Sequence, residues 1–384
     1  IVVGASGNDD AGSRSGSAYV FVKNMAGAPE VPAWYQVAKL TASDAAAGDY
    51  FGDHVALSGT TAVIGAARDD VGGGAYGSAY VFVRDETGWT EEDKLTPSGA
   101  SGVGSLYEQP VAVDGDTAVL AMPHENTNTG LVYVFTRSAG SWSEQAQLTA
   151  TIPDTQDFFG ASIALLGDAL LIGAPGDDDA GSAVGAAYLF SRTGSIWAET
   201  EKFVASDGTV EDQLGRAVAM TSDRAAVGAW FEDAPSNNQG AVYIFELDNG
   251  DWVEAAKLIA ADAAASDNFG INMAMSDDYL LVAATGDDDN DSNSGSAYIF
   301  KINDYGQWGQ QAKLLPVQDD GADGDYFGYS VALSGSTALV GAAYDNIAAG
   351  DSGSAYVFTR SGTSWLQQAR LVPADGANNN RFGW

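Results

Sequence analysis

The stretch Gly295-Ser296-Ala297-Tyr298-Ile299-Phe300, GSAYIF, decides the fold. Taken alone it is a short apolar run bounded by Asp, Asn, Ser and Gly, the pattern of a strand buried on both faces. Nearly the same six letters stand at 16–21, 77–82 and 353–358 as GSAYVF. Aligning on the tyrosine gives Tyr19, Tyr80, Tyr133, Tyr188, Tyr243, Tyr298 and Tyr356, spaced 53 to 61 residues apart, so seven copies of one unit fill the 384 residues. Tryptophan keeps the same period at Trp34, Trp89, Trp142, Trp197, Trp252, Trp308 and Trp365, leaving only Trp230 and Trp384 outside the series. Two residue types obeying one period mark a repeat architecture rather than a string of unrelated domains.

Four short runs make up a unit: strand A is HVALSG (54–59), B is TAVIGA (61–66), C is GSAYVFVR (77–84) and D is TEEDKL (90–95). A Ser58-Gly59-Thr60 turn links A to B and DETGW (85–89) links C to D, so neighbouring strands pair antiparallel. No segment has sustained helical periodicity. The expectation is an all-β, seven-bladed β-propeller of four-stranded antiparallel blades, in which each sheet is buried between its neighbours. A solenoid would need atypical capping units, and none is visible. Repeat units fall at 50–95, 107–148, 158–203, 214–258, 269–314 and 327–371, with a closing blade built from both chain ends, 1–40 plus 382–384. There IVVGA (1–5) matches strand B, and RFGW (381–384) matches the YFGD (50–53) that precedes strand A. By the period this junction is short by about eight residues, so the single propeller is read as excised from a longer polypeptide.

Fifty-two acidic residues against 17 basic ones give a net charge of -35. That field repels phosphate backbones and anionic lipid surfaces and excludes nucleic acid as a partner. There is no apolar run long enough to span a bilayer and no basic, small-residue-terminated leader, so no membrane insertion is expected. With no cysteine, neither disulfides nor thiolate metal sites enter.

The repeat carries two further elements. Phe-Gly stands at 51–52, 159–160, 269–270, 327–328 and 382–383, with Leu214-Gly215 as a variant. Gly-Ala-Pro stands at 173–175 and Gly-Ala at 4–5, 65–66, 228–229 and 341–342. In these residues the chain resembles the FG-GAP repeats of integrin α-subunit propellers and their relatives over essentially its whole length. The resemblance implies extracellular recognition and calcium loops of the form Asp-x-Asp-x-Asp-Gly in the A–B hairpin. Here that hairpin reads SGTT (58–61), LGDA (166–169) or SGST (334–337), and VDGDTA (113–118) comes nearest. The unit at 103–135 also departs, with SLYEQP (105–110) where Phe-Gly belongs and AMPHEN (121–126) where Gly-Ala-Pro belongs.

In an antiparallel blade the B–C loops and D–A connections share one face, and nearly all acidic clusters fall in these segments. Asp9, Asp10, Asp69, Asp70, Asp177, Asp178, Asp179, Asp287, Asp288, Asp289, Asp345 and Asp351 are the candidate metal ligands, with calcium as the cofactor, because hard cations take carboxylate and carbonyl oxygens at short spacing. The competing reading is turn chemistry, since Asp and Gly also make turns. The periodic tryptophans read as packing. Trp230 breaks the period beside Phe231 in the loop AWFEDAPSNNQG (229–240), and both are ligand-contact candidates together with His124. The recurrent Lys39, Lys94, Lys257, Lys313 and Arg370 read as solvated or salt-bridged outer-strand positions.

No nucleophile elbow, histidine cluster or phosphate loop is present, so no catalytic residue is assigned. The reading is an extracellular or cell-surface binding or adhesion module. It meets a protein or carbohydrate ligand with its acidic face, calcium-assisted, and has neighbouring domains of the same polypeptide as further partners. The alternatives are a structural spacer within a surface assembly and a polysaccharide-cleaving propeller.

Overall fold

The computed structural model describes residues 1–24, 33–71, 74–100, 109–233, 236–289, 291–317, 324–346 and 350–384. Among them the strands form seven radial sheets and one two-stranded ribbon, Asp70–Val71 with Gly74–Ala75. Blade 1 contains Val2–Ala5, Ser17–Lys23 and Trp34–Leu40. Blade 2 contains Phe51–Ser58, Thr61–Ala66, Ser78–Arg84 and Trp89–Leu95, and blades 3 to 7 repeat the four-stranded A-B-C-D order up to Ser364–Leu371. All pairings within blades are antiparallel. Strand A of one blade lies against strand A of the next, which puts the A strands around the axis and the D strands outermost.

Each letter of GSAYIF has a physical reason. Gly295 has φ +80°, and a Cβ there would lie 2.2 Å from the carbonyl oxygen of Phe327 in the next blade, so only glycine fits. Ser296 donates to the buried Asp287 at 2.9 Å, and Tyr298 donates to the same carboxylate at 2.6 Å. Ala297 and Ile299 are fully buried. The C–D ladder then slips by one residue between Ile299 and Phe300, and the same bulge recurs at the equivalent step of all seven blades. A bulge at a fixed register increases local twist, which a wedge-shaped blade needs.

The Phe-Gly phenylalanine is the second anchor. Phe269 lies edge-on to Tyr298 at 5.6 Å and Phe300 at 5.7 Å, and Phe51, Phe159 and Phe327 repeat this in their own blades. Strand A of blade 2 therefore begins at Phe51, three residues before the expected His54, because Phe51 joins the ladder opposite Ala66 ahead of an irregular step. Blade 1 receives the same anchor from the other chain end. Phe382 bridges to Ala5 and lies 5.6 Å from Tyr19 and 5.8 Å from Phe21.

The core is distributed over the junctions. Seven clusters of buried apolar side chains each span two neighbouring blades, and one of them joins Val3, Tyr19 and Phe21 to Ala355, Val357 and Leu371 across the closure. Each periodic tryptophan stands at or next to the start of strand D, and three donate their indole N–H to the preceding blade: Trp142 to Glu92, Trp197 to Gln145 and Trp365 to Gln311. A ring of clasps runs outside them. A backbone N–H in each D–A connection donates to a Glu or Gln on the next D strand, from Ser43 to Glu91 (2.8 Å) round to Ala374 and Gln36 (3.1 Å).

The departing unit stays a blade, with Val111–Asp114, Thr117–Met122, Leu131–Ser138 and Ser141–Leu148. Its B–C loop turns at Glu125–Asn128, where Asn126 and Thr127 take left-handed φ of 52° and 63°. Residues 105–108 of SLYEQP lie outside the described residues.

Candidate functional site

The B–C loops and D–A connections meet on one face, and their acids sort into three layers. The first acid of each B–C loop is buried. Asp69, Asp177, Asp287, Asp345, Glu125 and Glu232 are at most 4% exposed, with Asn8 as the equivalent in blade 1. In most blades this group receives the strand C tyrosine: Tyr188 donates to Asp177, and Tyr356 donates to Asp345 at 2.9 Å. Burial pushes the Asp287 carboxyl up, but the Lys313 ammonium and the hydroxyls of Tyr298 and Ser296 outweigh it and hold the group below the ordinary carboxylate range.

A second layer comes from the D–A connections, where Asp49, Asp157, Asp212, Asp267 and Asp325 are equally buried and Asn380 takes the place in blade 1. Asp267 accepts the backbone N–H of Ala264 at 2.6 Å, and Asp157 that of Asp154 at 2.7 Å. Burial, reinforced by the neighbouring carboxylates Asp177 and Asp287, raises Asp157 and Asp267 to about 6.

The third layer faces solvent. Asp9, Asp10, Asp70, Asp178, Asp179, Asp288 and Asp289 are exposed and Asp351 is half-buried. The sequence-derived metal candidates thus divide between buried groups bonded to hydroxyls and lysines and exposed rim acids, of which Asp10, Asp179 and Asp289 also bond a strand D lysine. Among the described residues one group brings carboxylate oxygens within 4.8 Å of one another: Asp262, Asp287 and Asp289. Asp262 belongs to the D–A connection that the sequence already put on this rim.

Beside the Phe-Gly dipeptides and just past strand B the repeat loosens: these residues vary from blade to blade, and aromatic rings and arginines gather there in several blades. Trp230 and Phe231 are stacked at 3.8 Å, Arg216 lies over the indole at 5.4 Å, and Trp230 Nε1 donates to Gln213 at 2.9 Å. Gln213 is one wall of a shallow cavity of about 290 Å³ lined also by Thr155, Gln156, Phe158, Asp178 and Ser182. His124 lies edge-on to Phe158 at 5.3 Å, and its Nδ1 is 3.0 Å from Asn128 Oδ1. Of the three ligand candidates from sequence, Trp230 and His124 each contact a residue lining this cavity, Gln213 and Phe158, and Phe231 stacks on Trp230. The other histidine, His54, lies on strand A with Nδ1 3.6 Å from the buried Asp53 carboxylate.

A second aromatic group was not legible from spacing. Tyr326, Tyr329, Tyr344 and Trp384 form a cluster with ring separations of 4.5 to 6.1 Å, and Arg381 lies over Tyr344 and Trp384. Trp384 is the one tryptophan besides Trp230 outside the period, which was the available signal.

A family model described as FG-GAP repeat matches residues 34–82, 142–190, 197–245, 252–300 and 308–358. Each match runs from a strand D tryptophan to a strand C phenylalanine of the next blade, so the sequence repeat straddles a junction. The longest stretch without a match, residues 83–141, holds strand D of blade 2 and strands A to C of blade 3. No curated protein matches the chain. Among solved structures it is similar to a protein from Lactobacillus plantarum, at 12% identity and a TM-score of 0.62 over 98% of this chain and 97% of that one. That likeness concerns fold alone. With five repeats covering more than half of its length, the chain belongs to the FG-GAP repeat family and is a seven-bladed propeller of it.

Proposed function

We propose that the protein is an extracellular or cell-surface recognition module that holds a glycan or protein ligand against the inner rim of its B–C and D–A face. The observation that carries this reading is the departure from periodicity. The D strands and junctions repeat, whereas Trp230, Phe231, His124, Phe158, Tyr329 and Trp384 do not, and these rings share one rim with amide and hydroxyl groups. Flat aromatic faces beside a few oriented polar groups suit a pyranose ring or an aromatic peptide anchor. The family's association with adhesion points the same way. The chain's own residues offer recognition and no assigned nucleophile or base, so catalysis is not part of the reading.

The test is affinity electrophoresis of the folded protein through gels containing a panel of neutral and acidic polysaccharides. Retardation by at least one of them that Trp230→Ala lowers about tenfold, with Trp142→Phe at a junction leaving it intact, is the expected result. Migration unchanged in every gel sinks the glycan reading. It would favour the rigid-spacer alternative, for which the unbroken ring of clasps is the supporting observation.

A further inference from the structure

Six of the seven blades carry a basic residue just before the last apolar residue of strand D: Lys39, Lys94, Lys202, Lys257, Lys313 and Arg370. The side chains of the lysines reach across the sheet end into the acidic loops. Lys94 lies 2.6 Å from Asp44 and 2.7 Å from Asp69, and Lys257 lies 2.8 Å from both Asp207 and Glu232. Lys202 bonds Asp177 at 2.9 Å and Asp179 at 2.6 Å, and Lys39 bonds Asp10 and Asp375. In blade 6, Lys313 bonds Asp262 at 2.9 Å, Asp287 at 2.8 Å and Asp289 at 2.5 Å. These are the three carboxylates whose oxygens come close enough together to hold a metal ion. The ammonium also stands 5.2 Å from the centre of the Tyr298 ring, whose hydroxyl is bonded to Asp287.

The Asp-rich B–C and D–A loops read as candidate calcium ligands, and the donor set can be tested against that ion. Calcium takes oxygens at about 2.3 to 2.6 Å and needs six to eight of them. The three carboxylates of blade 6 offer such oxygens, but they converge on an ammonium that already bonds all three. One set of oxygens cannot serve both cations. Burial alone lowers the Lys313 pKa, yet hydrogen bonds to Asp287, Asp289 and Asp262 more than reverse this and hold the group charged well above neutrality.

We infer that the strand D lysine is the built-in cation of this face, occupying the seat a calcium ion would take between the B–C and D–A loops. The propeller then fastens its acidic loops without a divalent ion, and deleting the ammonium leaves an oxygen cage that accepts calcium. Three carboxylates without their lysine repel one another, and a doubly charged ion offsets that repulsion more fully than water can. The inference concerns this chain's cation requirement and is independent of the ligand proposed for the inner rim.

Thermal melts in chelator, in millimolar calcium and in millimolar magnesium test it, with elemental analysis for bound metal. The wild-type midpoint is expected to be the same in all three. Lys313→Met is expected to melt lower in chelator and to regain about 2 °C or more in calcium but not in magnesium. Lys301→Met, an exposed lysine away from these loops, serves as the unresponsive control. If Lys313→Met does not fold, Lys202→Met in blade 4 poses the same question. A calcium-specific rise in the wild type with stoichiometric bound calcium overturns the inference, and so does a lysine variant that folds and ignores calcium.

Discussion

Blade 1 and blade 6 are built to one plan by different means. Blade 6 is continuous from Phe269 to Leu314, with Phe269 on Tyr298 and Phe300. Blade 1 borrows Phe382 from the opposite chain end, yet that ring meets Tyr19 and Phe21 at nearly the same separations. The buried charge is not reproduced. Where blade 6 has Asp287 and Asp267, blade 1 has Asn8 and Asn380, and Asn8 takes over both bonds, giving its Nδ2–H to Tyr19 and accepting Ser17. Aromatic packing is what a blade requires, and the buried carboxylate pair is an addition that a stitched blade can do without.

The sharpest way to break the comparison is to remove the two anchors in turn. Phe269→Ala and Phe382→Ala each empty a fully buried site and are expected to cost about 3 to 5 kcal/mol in urea unfolding. Equal costs establish that the borrowed ring is as integral as the native one. A cost for Phe382→Ala several-fold smaller would show that blade 1 folds around three strands.

Charge separates the blades next. Asp157 and Asp267 titrate above the ordinary carboxylate value, so the folded state binds their protons more tightly and gains stability as pH falls from 7 through about 6. Asp44, Asp207, Asp287 and Asp375 lie below the ordinary value, and their contribution is lost as pH falls through their folded-state pKa values. The melting temperature should therefore peak at about pH 5. Asp267→Asn is expected to flatten the limb between pH 7 and 5 and to raise stability at pH 7 by about 1 kcal/mol. Asn380→Asp should steepen the same limb by planting a carboxylate in blade 1. A pH profile that neither variant alters would mean these groups titrate normally.

The smallest effect tests the outer clasps. Gln310 accepts Ala261 N–H at 2.9 Å on entry to blade 6, and Gln36 accepts Ala374 N–H at 3.1 Å on entry to blade 1. Both bonds are exposed, so Gln310→Ala and Gln36→Ala should each cost about 0.5 to 1 kcal/mol, read from the denaturation midpoint. A larger loss for Gln36→Ala would mark the closure as the junction most dependent on its rim.

Much of this plan was legible in the sequence because packing repeats and the tyrosine, tryptophan and Phe-Gly series are packing residues. Closure was legible for the same reason, from Phe382 matching Phe51. Lys313 was legible only as a solvated or salt-bridged strand D position, because its partners Asp262, Asp287 and Asp289 lie in two loops that only the blade geometry brings together. The cluster of Tyr326, Tyr329, Tyr344 and Trp384 was hidden by a related cause, since Trp384 joins it only when the last residues enter blade 1. Trp230 stood out in the sequence because it breaks the period, and in the structure it stacks on Phe231 and bonds Gln213.

The phase of the repeat bears on how the ring responds to force. Because each unit runs from the D strand of one blade into the C strand of the next, the covalent chain crosses every junction, including the one from Leu371 to Phe382. Residues 1–5 and 381–384 meet inside blade 1, where Phe382 pairs with Ala5 and Gly383 N–H donates to Gly4 at 3.0 Å, a seam held by no peptide bond. These short segments run antiparallel, so a pull between Ile1 and Trp384 peels their bonds one after another instead of shearing them together. Under tension the molecule would yield at this seam first, while the wedge interfaces between blades, each bridged by backbone, would still hold.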